Sequence, residues 1–522
     1  MKNVCLLVLF AALTFNIKAQ LPFYWARTDD TTYSGFRQKM ITDANGNIYV
    51  GGSPSYMGKT IGKIIKYDQY GNNLWAKTDT GAGLGVYIND ICIDSNNDLY
   101  VAGRQQNSGT GFDAYLYKYS SNGQLLWKKY YNGTADSTDD AASITYFNSY
   151  LYLSGATVGL QNHNRVLLQK YDMIGNLIWT VTDSLNEQWD NSAFYITHDS
   201  SNLIVTGMVW HSQMQYNMFL AKYDQAGNKI WQIFDSLSVL RVYGGKIVID
   251  HQQNIYIAVG ADYVQYNLLK YDSLGRFEWG FGITPSSFTS PPGIADVKLD
   301  ESDNVYLSGT AAIAGGFDGM PTFVFTKLRP NGSVVGSYVG QNYGYGAGFD
   351  FLSQNDMVVS GSLDTSGYEI IDFDSSVNIK WEHYYTNDVP LAICYQVVVD
   401  SMKNILLAGS RSSYQAGGSP SMEVIKYGSN PFVTGLNILN GEQVDIKVFP
   451  NPGAPGTVQF VVSDNLVGNN LQMFDLTGRL LQQLQITDAS FKFQTSNFSN
   501  GIYFYRVHAP SGAMVVGKLV VN

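Results

Sequence analysis

Nine tryptophans and six histidines are the scarcest side chains here that can stack on a ligand or relay a proton, and the tryptophans are unevenly placed. Seven of them (Trp25, Trp75, Trp127, Trp179, Trp231, Trp279 and Trp381) recur at one position of a repeated segment. Trp189 and Trp210 do not. These two fall in loops that flank a single repeat, with Asp190, His211 and Tyr216 close by in sequence. Aromatic faces stack on sugar rings or aromatic side chains, and an acid and an imidazole beside them hydrogen-bond to hydroxyl groups. The five residues are therefore the candidate binding site, for a glycan or a surface-protein ligand. The bland alternative is loop packing over the edge of a sheet.

Catalysis finds less support. The histidines at 163, 198, 211, 251, 383 and 508 show no His-Glu-x-x-His pair or other metal-ligand spacing, so no metal is expected. A Gly-x-Ser-x-Gly elbow and a phosphate-cradling loop are both missing, no cofactor motif is present, and neither Cys92 nor Cys394 has the setting of a nucleophile. Dispersed carboxylates are all that a glycosidase or lyase needs. An extracellular polysaccharide-degrading enzyme therefore stands as the second reading.

The elements that must position these residues are written in a repeat. Lys66-Tyr67-Asp68 leads through Gly71-Asn72 to Trp75, and the string returns from Lys118, Lys170 and Lys222 at intervals of 52 residues, then from Lys270. Weaker copies begin at Lys327, where Gly336 replaces the tryptophan, at Asp372, which has lost the lysine, and at Lys426. A second landmark precedes each copy: an Asp, an Asn or Asp four residues on, a Tyr followed by Val or Ile, and a Gly, as in Asp43 to Gly52, Asp94 to Gly103 and Asp250 to Gly260. The flanks are short β-branched and aromatic runs without a helical period. Four antiparallel strands every 50 residues or so is the period of a β-propeller blade.

Eight copies predict an all-β fold: an eight-bladed propeller of four-stranded blades. The last copy lacks its fourth strand. Phe23-Tyr24-Trp25-Ala26-Arg27-Thr28 reads like Leu74-Trp75-Ala76-Lys77-Thr78, so the N-terminal strand is expected to close the ring by pairing into the last blade. The recurring Lys, Tyr and Trp read as blade-to-blade packing. The Asp-x-x-x-Asn segments read as hairpin turns rather than calcium loops, since they lack the bidentate Glu of an EF-hand.

In chain order, residues 1–19 form a secretory signal with cleavage expected between Ala19 and Gln20. Residues 20–430 are the propeller, 431–440 a linker, and 441–522 a second module of short alternating strands, a small Ig-like β-sandwich. No later run is long and apolar enough to be a transmembrane helix. The formal charge is −10, and an acidic chain without a basic stripe argues against nucleic acid and anionic membranes as partners. Cys92 and Cys394 lie in non-neighbouring copies, where buried free thiols fit better than a disulfide.

Two resemblances follow. Gly111-Phe-Asp113 through Lys118-Tyr119 and Gly123 to Trp127 resembles the SBBP-type β-propeller repeat of bacterial exported proteins, which implies architecture but no catalytic residues. The tail resembles the type A C-terminal sorting domain of type IX secretion. That likeness rests on Phe449-Pro450-Asn451-Pro452, Asp475-Leu-Thr-Gly478-Arg479, Gly501-Ile-Tyr503 and Lys518-Leu-Val. It implies passage through the periplasm of a Gram-negative bacterium, recognition by the type IX machinery, and delivery to the outer-membrane surface or the medium.

Overall fold

The computed structural model describes residues 21–521 apart from 30–37, 57–58, 82–84, 160–161, 186–187, 213–214, 236–240, 263–267, 283–287, 314–320, 344–345, 364–366, 387–390, 413–420, 430–445, 452–455, 476–479 and 509–513. The signal segment with Ala19 and Gln20, the 431–440 linker, Pro452 and Gly478 lie outside the described residues.

Residues 23–429 are an eight-bladed β-propeller. Each blade is four antiparallel strands, and chain order within it runs from the innermost strand, A, outward to D. The second blade shows the pattern: Val86–Ile93, Leu99–Asn107, Gly111–Tyr119 and Leu125–Tyr131. Strands B and C are buried along almost their whole length, as a sheet covered on both faces requires. Strand D mixes half-buried and exposed residues and has none fully buried, which fits an outer edge.

Strand A carries a β-bulge at one place in blade after blade, between Ile88 and Asp90, Ala193 and Tyr195, Ile294 and Asp296, and Cys394 and Gln396. The glycine of the second landmark pairs with the residue just before it, as Gly103 does with Ile88 and Gly207 with Ala193. The carbonyl of Tyr87 leans over Gly103 where a Cβ would otherwise stand, so close approach rather than a turn demands glycine. In the fifth blade the landmark is one residue shorter than the sequence suggests. Val259, not Gly260, holds this position, and its partner is Gly244 on the facing strand.

The Lys-to-Trp string is a clasp between blades. Lys66 on strand C pairs in register with Trp75 on strand D, and both side chains reach the next blade. There Lys66 Nζ donates to the carbonyl of Ser121 at 2.8 Å, and Trp75 Nε1 to the same carbonyl at 3.1 Å. Lys170 with Trp179 on the Gln225 carbonyl, and Lys270 with Trp279 on that of Pro330, repeat the arrangement. The acceptor turn carries a glycine, Gly123 at φ +83°, on which the Trp75 ring lies.

The aspartate of the second landmark completes the unit. Asp43 accepts the backbone N–H groups of Asn45 and Asn47 and the side-chain amide of Asn47, and stands 3.9 Å from Lys66. Asp94, Asp199, Asp300 and Asp400 meet Lys118, Lys222, Lys327 and Lys426 in the same way. These acids are committed to their own turns and to the clasp lysine.

Closure follows the same chemistry. Phe23–Thr28 pairs antiparallel with Ser421–Tyr427, placing Trp25 opposite Lys426. Trp25 Nε1 and Lys426 Nζ both donate to the carbonyl of Gln69 in the first blade, at 3.3 and 3.1 Å. One clasp is thus assembled from the two ends of the propeller sequence. The Gln396 amide exchanges two hydrogen bonds with the backbone of Met40, joining the last inner strand to the first.

The C-terminal module is the Ig-like sandwich. Ile446–Phe449, Thr457–Val462 and Ser490–Gln494 form one sheet; Leu480–Gln485, Asn470–Phe474, Gly501–His508 and Met514–Val521 form the other. Val458, Phe460, Leu471, Met473, Val507 and Leu519 meet in its core.

Candidate functional site

The sequence-selected residues of the fourth blade converge at the tips of three strands, Asp190–His198, Leu203–Ser212 and Gln215–Tyr223. Asp190 lies directly opposite Trp210, and Trp210 opposite Tyr216. The Trp210 and Tyr216 rings are 6.0 Å apart, and the Trp189 ring meets His211 edge-to-face at 3.7 Å. Trp210 is 41% exposed. Trp210 and Tyr216 thus form one ring pair and Trp189 and His211 another, with Trp189 packed against the buried core of the third and fourth blades. One expectation needs correcting: Trp210 is not in a loop but, like its neighbours His211 and Tyr216, on a strand. The ladder continues to its tip, and cross-strand register rather than loop packing holds them; Trp189 alone is a loop residue.

Polar partners fix the acid. Asp190 Oδ1 accepts the backbone N–H of Asn164 at 2.6 Å, and His163 stands 3.6 Å away on the third blade. His163 extends the cluster and was passed over in sequence, because it lies in a different repeat. Burial pushes the pKa of His211 below the ordinary imidazole value, which favours its neutral form. Its Nε2 has no hydrogen-bond partner among the described residues. A half-exposed indole, a tyrosine, a carboxylate and a neutral imidazole can stack against a ring and hydrogen-bond its substituents.

Sequence reasoning missed a second concavity. The bulged inner strands enclose a central channel of about 770 Å³. The residue just after the bulge faces it in four blades, as Asp90, Tyr195, Asp296 and Gln396, and Lys39 of the first inner strand and Lys246 within the fifth-blade bulge face it too. No one residue type holds these positions, with Lys and Asp each occurring twice beside Tyr and Gln, so a search for repeated motifs passes over them. The clue was that the side chain changes character from blade to blade while its flanks stay constant.

In the sandwich, the sorting-motif residues have distinct jobs. Asn451, exposed on the bend after a cis Phe449–Pro450 bond, donates from Nδ2 to the Lys518 carbonyl at 2.7 Å. Its Oδ1 accepts the Val520 N–H at 2.8 Å. Tyr503 is buried, donates to the Ser499 carbonyl and packs edge-on against Phe498. Gly501 opens its strand opposite Val521. Separate landmarks of the tail are thus parts of one knot at the last strand, and the family model named secretion system C-terminal sorting domain matches residues 447–522. This module is a type IX sorting domain. It marks the chain for secretion to the cell surface or the extracellular space. No helix among the described residues is long and apolar enough to cross a membrane.

No curated protein sequence matches the chain. Among solved structures it is similar to PorZ, a surface component of the type IX secretion system of Porphyromonas gingivalis, at 13% identity and a TM-score of 0.34. The overlap covers 92% of this chain and 74% of that one. It is also similar to the Pan2 WD40 domain of Neurospora crassa, at 8% identity and a TM-score of 0.40, over 66% of this chain and 90% of that one. At such scores neither likeness bears on activity.

Proposed function

We propose that this protein is an exported binding module: a propeller carried out of the cell by its sorting domain, presenting the fourth-blade tip to a glycan. The observation that carries the reading is the register of Asp190, Trp210 and Tyr216 across three neighbouring strands, beside the Trp189–His211 pair. A partly exposed aromatic set with hydrogen-bonding groups beside it suits a sugar ring. Residues at the ends of well-packed strands are pre-organised, so little ordering cost opposes binding. The clasp residues play no part, since their polar atoms are spent on neighbouring blades.

The test is a glycan-array screen of the full chain beside a Trp189→Ala/Trp210→Ala variant. Binding that the variant loses supports the reading, whereas binding that survives in it refutes the site. Cleavage of any arrayed glycan, abolished by replacing a single carboxylate, would instead favour the polysaccharide-degrading enzyme.

A further inference from the structure

We infer that the central channel of the propeller is a second binding site, taking a neutral saccharide unit. Its volume of about 770 Å³ lies within the range of small-molecule pockets. Its charges are matched in pairs. Lys39 stands 3.6 Å from Asp90 between the first and second blades, and Lys246 donates to Asp296 at 2.5 Å between the fifth and sixth. Four steps around a ring of eight separate the two pairs, which puts them on opposite sides of the lumen.

Behind the pairs, the acids are anchored by the fold. Asp90 Oδ2 accepts from the Ser143 hydroxyl and the Ile144 N–H, and Asp296 Oδ1 from the Val297 N–H. A charged ligand would meet no net field here and would have to break a pair, which opposes both anions and cations.

What the lumen leaves unused is a mixed set. The Lys39 ammonium, 43% exposed at its side chain, makes no hydrogen bond among the described residues, and its one ion pair is longer than a hydrogen bond. The Tyr195 hydroxyl faces the lumen near Asp90, Lys39 and Asp296, and it too has no hydrogen-bond partner among the described residues. Gln38 is 3% exposed and lines the cavity; its amide donates to the Gly409 carbonyl, but its Oε1 is buried without a partner. A buried acceptor left unsatisfied calls for a donor. One spare donor, one group that both donates and accepts, and one spare acceptor match a ligand whose every group is a hydroxyl. This site is independent of the fourth-blade tip: it shares no residue with it.

Saturation-transfer NMR on the full chain tests the inference, with glucose, galactose, mannose, N-acetylglucosamine, cellobiose and lactose as probes. Transfer to at least one probe is expected. The dissociation constant should rise about tenfold in Tyr195→Phe and in Lys39→Met, one hydrogen bond lost in each. The Trp189→Ala/Trp210→Ala variant should leave it unchanged. Transfer to none of the six overturns the inference, as does transfer unaffected by both channel variants. Transfer lost only in the tryptophan variant overturns the channel and supports the fourth-blade tip.

Discussion

The junction between the sixth and seventh blades differs from the six junctions at which a tryptophan covers a glycine turn. At those six, the ring of Trp25, Trp75, Trp127, Trp179, Trp231 or Trp279 lies on Gly71, Gly123, Gly175, Gly227, Gly275 or Gly332. At the odd one the sizes are exchanged. Gly336 stands where the tryptophan belongs, and Val377 fills the space from the turn side, 8% exposed and at φ +66°. A β-branched residue with positive φ is a genuine outlier, so packing must hold it there. The polar half of the clasp survives, because Lys327 Nζ still donates to the Ser375 carbonyl at 3.0 Å. The comparison teaches that the clasp has two separable halves. The hydrogen-bonded lysine needs only a carbonyl, while the packed half needs a matched pair of volumes.

Breaking a regular pair should have the largest effect. A Cβ at Gly123 would lie 2.7 Å from the Trp75 ring with φ at +83°, so Gly123→Val is expected to cost about 4 kcal/mol or more. Gly336→Trp should be comparably damaging, since its side chain would meet the Ser376 carbonyl and Val377. Adding Val377→Gly should restore much of the loss, with a coupling of about 2–3 kcal/mol in a denaturant-unfolding cycle. Strict additivity would refute the exchange of volumes.

Removing the ring alone is a smaller insult. Trp179→Ala should lower stability by about 3–5 kcal/mol, measured by denaturant midpoint at unchanged slope.

The seventh blade sharpens the contrast electrostatically. Asp372 holds the place of the clasp lysine, and burial pushes its carboxyl up to about 7, against a partial pull downward from Lys380 at 3.5 Å. The unfolded carboxyl titrates near 3.8. Between these values the folded chain keeps a proton that the unfolded chain has lost. The contribution of this group is therefore fully present below the unfolded value and is lost as pH rises toward 7. The prediction is that Asp372→Asn gains on the wild type in melting temperature between pH 4 and pH 8. A constant gap would contradict it.

The smallest effect belongs to the binding tip. Trp210→Ala should change stability by only about 1 kcal/mol or less, because the ring is 41% exposed.

The blades were legible because each local device is spelled in residues that admit few other readings. An Asp and an Asn four apart close a turn, a Gly ends a hairpin, and Trp25 in the N-terminal strand declares the copy it completes. The exchange at Gly336 and Val377 was legible only as a missing tryptophan, since its compensation lies in the next blade. The cluster around Trp189 and Trp210 could be found because it departs from the repeat, but its register could not. Without pairing there is no way to know that the hairpin continues to Trp210. The channel was hidden for a different reason. A bulge shifts which side chain faces the lumen, and bulges leave no residue signature of their own beyond the glycine opposite.

The last clasp couples residue 25 to residue 426, and that has a consequence for how the molecule is made. Until both partners exist, the last blade ends on the open edge of Ser421–Tyr427, with unpaired backbone groups that invite association with other chains. The ring therefore works as a check on completeness. A chain that lacks either Phe23–Thr28 or Ser421–Tyr427 leaves its seam unsealed.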